Sequence, residues 1–328
     1  MQIKPNFFKK FLSVILGSTI FSIKLIMAQS MPTLPVNQLV MSSETKTISF
    51  RWHGDYINSK WEANTAILIP VKLKNCPRLF YMQFDLGSPY SLLYKNKVEA
   101  IQMKYPKSIP LREVGDKLQN FSFNVAEISI LAKEIIVQQF DSTSIDWKDK
   151  NSTEIIGTIG ADLIDNKVVI IDYANCKLTI SKSIPEKLLG HISLTNFIYS
   201  NRSVLFPAKL KGKETILYFD TGSSMFELLT NKEMCSQLAK TNAELIQYKV
   251  KSWSKLLTAN TLASNDSLEF AGTTIPLRSS TYIEGISNTQ IEQMSKMGIH
   301  GMIGNKLFLN YILVIDTKNQ KFGIASSF

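Results

Sequence analysis

Two short runs, "QFDLGS" at residues 83 to 88 and "YFDTGS" at 218 to 223, each end an apolar stretch with one aspartate and continue at once into glycine and serine. A single Asp in such a place is an ordinary turn former. Two in matching surroundings suggest chemistry that needs a pair. Carboxyls held a hydrogen bond apart cannot both ionise cheaply, so one keeps its proton while the other serves as a base. Together they can take a proton from water and give one to a carbonyl oxygen, with no metal and no covalent nucleophile. The candidate acids are Asp85 and Asp220. Gly87 and Gly222 let the backbone turn tightly and bring the carboxyls close. Ser88 and Ser223 are each expected to donate a hydroxyl to the neighbouring Asp and favour its ionised form, which places the expected rate optimum on the acid side. The two titration constants belong to the pair, and sequence does not assign the proton.

The elements that must position these acids come from an internal repeat. "AILIPVKLKNCPRLFYMQFDLGSPYSLLY" opens one copy and "SVLFPAKLKGKETILYFDTGSSMFELLT" the other, each a strand, a polar turn and a second strand ending in Phe-Asp. Each copy closes with a matching segment, "GTIGADLIDNKVVIIDYANCKLTI" or "GMIGNKLFLNYILVIDTKNQKFGI". Gly160 to Asp172 and Gly304 to Asp316 both span 12 residues. The two closing segments read as hairpins, with Asp172 and Asp316 as turn formers. Between these matched parts the copies differ. The first has strand-like "NFSFNVAEISI" and "KEIIVQQF" and a polar surface loop; the second has an expected helix near Lys232 to Lys240, strands to Tyr282 and a short helix at 289 to 297.

Two Asp-x-Gly-Ser runs, each followed by its own Thr158-Ile159-Gly160 or Met302-Ile303-Gly304 and a terminal hairpin, make the chain from about residue 65 onward resemble the pepsin-like and retropepsin-like aspartic proteases. The resemblance implies a mainly β, bilobal fold. In it, two β-barrel lobes related by a pseudo-two-fold axis flank a cleft, with Asp85 and Asp220 as the catalytic pair at its floor. It implies Gly160 and Gly304 as structural glycines beneath the site, supported by Gly87, Ser88, Thr221, Gly222 and Ser223. It further implies an aspartic-type endopeptidase with no cofactor and no metal, acting on a peptide or protein substrate whose extended backbone pairs with strand edges. Duplication supplies both acids, so a monomer suffices. In these families a Thr after each Asp reaches across to the opposite half; Thr221 can do so and Leu86 cannot. Residues 100 to 130 offer no counterpart of the family's flap hairpin with its Tyr: Tyr105 precedes Pro106, and "REVGDKLQ" is a turn without an aromatic. Leu86 and the missing flap Tyr support the alternative reading, a pseudoprotease that binds peptides or glycans in the cleft without turnover.

Length and composition fit two globular domains: 328 residues, 45% apolar and 20% charged. Lys4, Lys9 and Lys10 precede an apolar stretch from Phe11 to Ile23 and the small residue Ala28, the pattern of an export signal over residues 1 to 28. The mature chain is therefore expected to be periplasmic or secreted, with membrane attachment only if that segment stays uncleaved. Its removal lowers the formal charge from +10 to +6. The remaining Lys and Arg are scattered without a basic tract, which excludes a nucleic-acid footprint. No CxxC, HExxH, GxxxxGK or GxSxG motif occurs, and His53, His191 and His300 are far apart in the chain. His300 beside Gly301 reads as a surface or packing residue. Cys76, Cys176 and Cys235 are too few for a disulfide framework, although one bridge is open to them. The expected division is a signal peptide at 1–28, an N-terminal extension of one or two strands at 29–64, an N-terminal lobe at 65–183, a connector at 184–196 and a C-terminal lobe at 197–328.

Overall fold

The computed structural model describes residues 34–42, 44–109, 113–140, 142–252, 255–285 and 298–326. The export segment and the short helix expected at 289–297 lie outside the described residues. No helix among the described residues is long and apolar enough to cross a membrane.

The molecule is mainly β, and the repeat read from the sequence is a repeat in space. Each acid closes a hairpin: Lys60–Leu73 pairs with Leu79–Phe84 in the first half, and Ser203–Leu210 with Lys213–Phe219 in the second. The second hairpin turns at Lys211 and Gly212, both at positive φ (51° and 73°), the conformation a two-residue hairpin turn demands. Alternation explains the strands. Phe80, Met82 and Phe84 bury one face of the first acid strand; Leu217 and Phe219 do the same in the second. Each acid strand then takes a parallel neighbour from far along the chain, Ile155–Ile159 beside the first and Ile299–Ile303 beside the second. The backbone N–H of Asp85 donates to Ile159 O and that of Asp220 to Ile303 O, both at 3.0 Å. The matched "TIG" and "MIG" segments thus hold the acids at equivalent points of two sheets, of nine and seven strands.

A third sheet joins the halves. The hairpins Val168–Asp172/Lys177–Ser181 and Tyr311–Asp316/Lys321–Ser326 pair with each other, in antiparallel register from Val168↔Asp316 to Asp172↔Ile312. The sequence had assigned one hairpin to each lobe; they form one six-stranded sheet across both. Asp172 and Asp316 accept turn N–H groups, from Asn175 and from Lys318 and Asn319. The connector adds Thr195–Asn196 at one edge of this sheet and the N-terminal extension adds Lys46–Ser49 at the other. That extension supplies three strands rather than one or two, the others being Leu39–Met41 and Arg51–Ile57 in the nine-stranded sheet. One hydrophobic core runs beneath all three sheets and includes Phe84, Ile171, Phe219 and Ile315.

The variable parts differ as elements. The first half carries a helix, Lys95–Lys104, that the sequence reading did not foresee, and the hairpin Lys117–Val125/Ile128–Gln138. It also carries Glu113–Val114, a two-residue strand folded back at Gly115. In the second half Asn231 caps Lys232–Leu238 by accepting the Met234 N–H, and a long hairpin follows, Ile246–Ser252 with Lys255–Phe270. The three cysteines are free thiols, Cys235 fully buried.

Candidate active site

Asp85 and Asp220 meet between the halves, close enough that each carboxyl shifts the ionisation of the other. They are 1% and 0% exposed. The approach is close because Gly222 has no side chain: a Cβ there would lie 2.4 Å from Asp85 Oδ1. Each loop cradles its own acid, Gly87 N–H donating to Asp85 Oδ1 at 2.9 Å and Gly222 N–H to Asp220 Oδ1 at 2.7 Å. Beneath them, Gly160 and Gly304 sit where a Cβ would strike the loop backbone, at Tyr90 and Ser88 in one half and at Ser223 and Phe226 in the other.

The symmetry then breaks in two places. Ser223 donates its hydroxyl to Asp220 Oδ2 at 2.8 Å, as expected. Ser88 does not follow; its hydroxyl donates to Tyr90 O at 2.7 Å. The loop after Asp220 is a 3₁₀ turn over Thr221–Ser223, whereas after Asp85 Pro89 interrupts the equivalent run and Ser88 folds onto its own loop. The second break is at Leu86. Thr221 Oγ1 crosses to the other half, donating to Phe84 O (2.9 Å) and accepting from Leu86 N–H (2.8 Å). Leu86 returns no hydroxyl and is instead fully buried as an apolar residue. A second crossing runs from Tyr218, whose hydroxyl donates to Leu86 O at 3.4 Å.

The acids therefore differ in environment. Burial, the nearby Asp220 charge and the hydrogen bond donated to Asp220 hold the Asp85 carboxyl well above the usual range. Burial also raises Asp220, to about 6, but the Ser223 hydroxyl, the Gly222 N–H and the proton offered by Asp85 oppose it. Asp85 keeps the shared proton and Asp220 ionises first. Of the two serine hydroxyls expected to support the acids, only that of Ser223 reaches one.

Sequence reasoning did not single out the outer support. Asn305, fully buried, donates to Thr221 O (2.9 Å) and Ser224 Oγ (3.0 Å) and accepts from the Tyr173 hydroxyl (2.8 Å). Ser224 in turn donates to Asn64 O at 2.7 Å, so this network also ties the halves together. Only the position of Asn305 directly after Gly304 pointed to it. His300 lies apart from the acids, its Nδ1 paired with Thr215 Oγ1 on an exposed edge. Among the described residues no group of three His, Cys, Asp or Glu is placed to hold a metal ion. A surface groove lined by Thr47, Thr179, Leu188 and His191 lies on the shared sheet and includes neither acid.

The fold and site define a mainly β, two-lobed protein with one acid from each half meeting at the seam. No protein-family model matches the chain, and no curated protein sequence matches it. Among solved structures it is similar to an aspartic proteinase from Irpex lacteus, at 12% identity and a TM-score of 0.47, over 86% of this chain and 97% of that one.

Proposed function

We propose that the chain is an exported aspartic-type endopeptidase that hydrolyses peptide bonds with water activated between Asp85 and Asp220. The single observation behind this reading is that two buried carboxyls, one from each half, meet across Gly222 in unequal surroundings. In the proposed step the ionised Asp220 takes a proton from water as its oxygen attacks the scissile carbonyl carbon, and Asp85 gives its proton to the carbonyl oxygen. Collapse of the tetrahedral diol returns a proton from Asp220 to the leaving nitrogen, while Asp85 recovers its own from the diol hydroxyl. Because both acids are nearly sealed, substrate entry requires the halves or their hairpins to part first.

The test is cleavage of denatured protein by the mature chain between pH 3 and 8. Activity should rise as Asp220 ionises near 6, and Asp85→Asn and Asp220→Asn should each lower kcat/KM by at least about a thousandfold, on the scale of a lost triad member. Cleavage that survives either change removes the dyad from the reaction. A second reading is favoured by one feature, the apolar Leu86 in the crossing. It makes the chain a peptide- or glycan-binding protein without turnover, for which peptides bind and no pH gives products.

A further inference from the structure

On the first acid strand Phe80, Met82 and Phe84 face the core, so Gln83 shares the opposite face with Asp85, two residues on. Gln83 is 2% exposed and its Nε2 has no hydrogen-bond partner among the described residues. Its ladder neighbours are Leu68 on one side and Thr158 on the other. Thr158 is also buried, and its Oγ1 shares a 3.0 Å hydrogen bond with the Tyr94 hydroxyl. Phe140 stacks on Tyr94 with ring centroids 4.6 Å apart, and Lys251 from the second half places its amine 5.9 Å from the Phe140 centroid. A polar patch beside Asp85 is thus closed over where the two halves meet.

An unmet buried N–H is costly, and native proteins leave few of them. At the matching place in the second half, two residues before Asp220, Tyr218 spends its hydroxyl on Leu86 O. Gln83 has no such use. We infer that Gln83, with Thr158 and Tyr94, floors a side-chain pocket beside Asp85 that selects a carboxamide, Asn or Gln, on the bound peptide. This rests on the peptide cleft proposed above. The carboxamide oxygen accepts from Gln83 Nε2 while its NH₂ donates to the Thr158 or Tyr94 oxygen. A carboxylate would enter beside the ionised Asp220, and an ammonium or guanidinium brings only donors to face a donor.

The experiment uses the full mature chain as Asp220→Asn, with fluorescent peptides: a leucine-rich octapeptide and a series in which one Leu becomes Asn at successive positions. Anisotropy gives each Kd. At one position Asn should tighten binding by about tenfold or more, the size of effect a site built for a polar group delivers. Gln83→Leu should erase that gain and the isosteric Thr158→Val should reduce it, with thermal melting showing that both remain folded. The pocket is overturned if no position prefers Asn, if the preference survives Gln83→Leu, or if no peptide binds. Wild-type chain that binds with this selectivity yet cleaves nothing removes the peptidase and keeps the pocket; cleavage indifferent to Asn removes the pocket alone.

Discussion

Ser223 and Ser88 occupy matching positions, yet only Ser223 turns its hydroxyl to the acid three residues before it, while Ser88 bonds the carbonyl of Tyr90. A hydrogen bond to a charged group contributes about 1.5–3 kcal/mol, and 1.36 kcal/mol is one pH unit. Ser223→Ala should therefore raise the Asp220 constant further and move the acid limb of the kcat/KM profile upward by about one to two units. Ser88→Ala should move it far less, because that hydroxyl does not touch Asp85. Equal shifts would mean that the acids are supported alike. The positions of both acids were legible because the whole Phe-Asp-x-Gly-Ser run recurs. The direction of a hydroxyl was not, since it depends on whether the loop closes as a 3₁₀ turn, and Pro89 against Ser224 is a difference whose effect appears only in three dimensions. Leu86 was legible as a departure; that Tyr218 supplies a second crossing was not, because it acts over 132 residues of chain.

At the scale of elements, the strands that carry the acids announced themselves through alternation and β-branched or aromatic residues, and the closing hairpins through their shared 12-residue register. The helix Lys95–Lys104 did not, having no side-chain cap and few apolar residues to mark its buried face. Nor did the pairing of one closing hairpin with the other, because strand partners chosen over 140 residues leave no local signature. The glycines under the loops join sequence to element. At Gly304 a Cβ would lie 2.1 Å from Ser223 O and 2.8 Å from Phe226 O, backbone atoms that the 3₁₀ turn cannot move aside. Gly304→Ala should destabilise by about 3 kcal/mol or more and displace the Asp220 loop, read as a lowered urea midpoint. Gly190 makes the contrast: its φ is −74° and no atom of the described residues lies within 4 Å of an added Cβ, so Gly190→Ala should raise stability by about 0.4–1 kcal/mol. A Gly304→Ala protein as stable as wild type would mean that the loop is not held from below.

For the whole molecule, three buried carboxyls and one half-buried imidazole link stability to pH in opposite senses. Asp85, Asp162 and Asp220 all have constants above the ordinary 3.8, so the folded chain holds their protons more tightly than the unfolded chain does. Their contribution is fully present below about pH 3.8 and is lost as pH rises through the folded values, about 6 for Asp162 and Asp220. His53 acts the other way. Burial lowers it from 6.5 to about 4, so the stability from keeping it neutral is present above 6.5 and is lost as pH falls towards 4. Asp162 isolates one of these contributions, because it lies outside the acid pair. It is 5% exposed, accepts from the N–H and hydroxyl of Ser91, and is raised chiefly by burial, with Ser91 and the Arg202 charge opposing. A shift of this size corresponds to roughly 2–3 kcal/mol across the window. Urea unfolding at pH 4 and pH 7 should therefore show Asp162→Asn losing more at pH 4 than at pH 7 relative to wild type, by about that amount, since Asn cannot take up the proton that stabilises the folded acid. An identical loss at both pH values would mean that Asp162 is already ionised in the fold, with the Ser91 bonds and Arg202 outweighing burial.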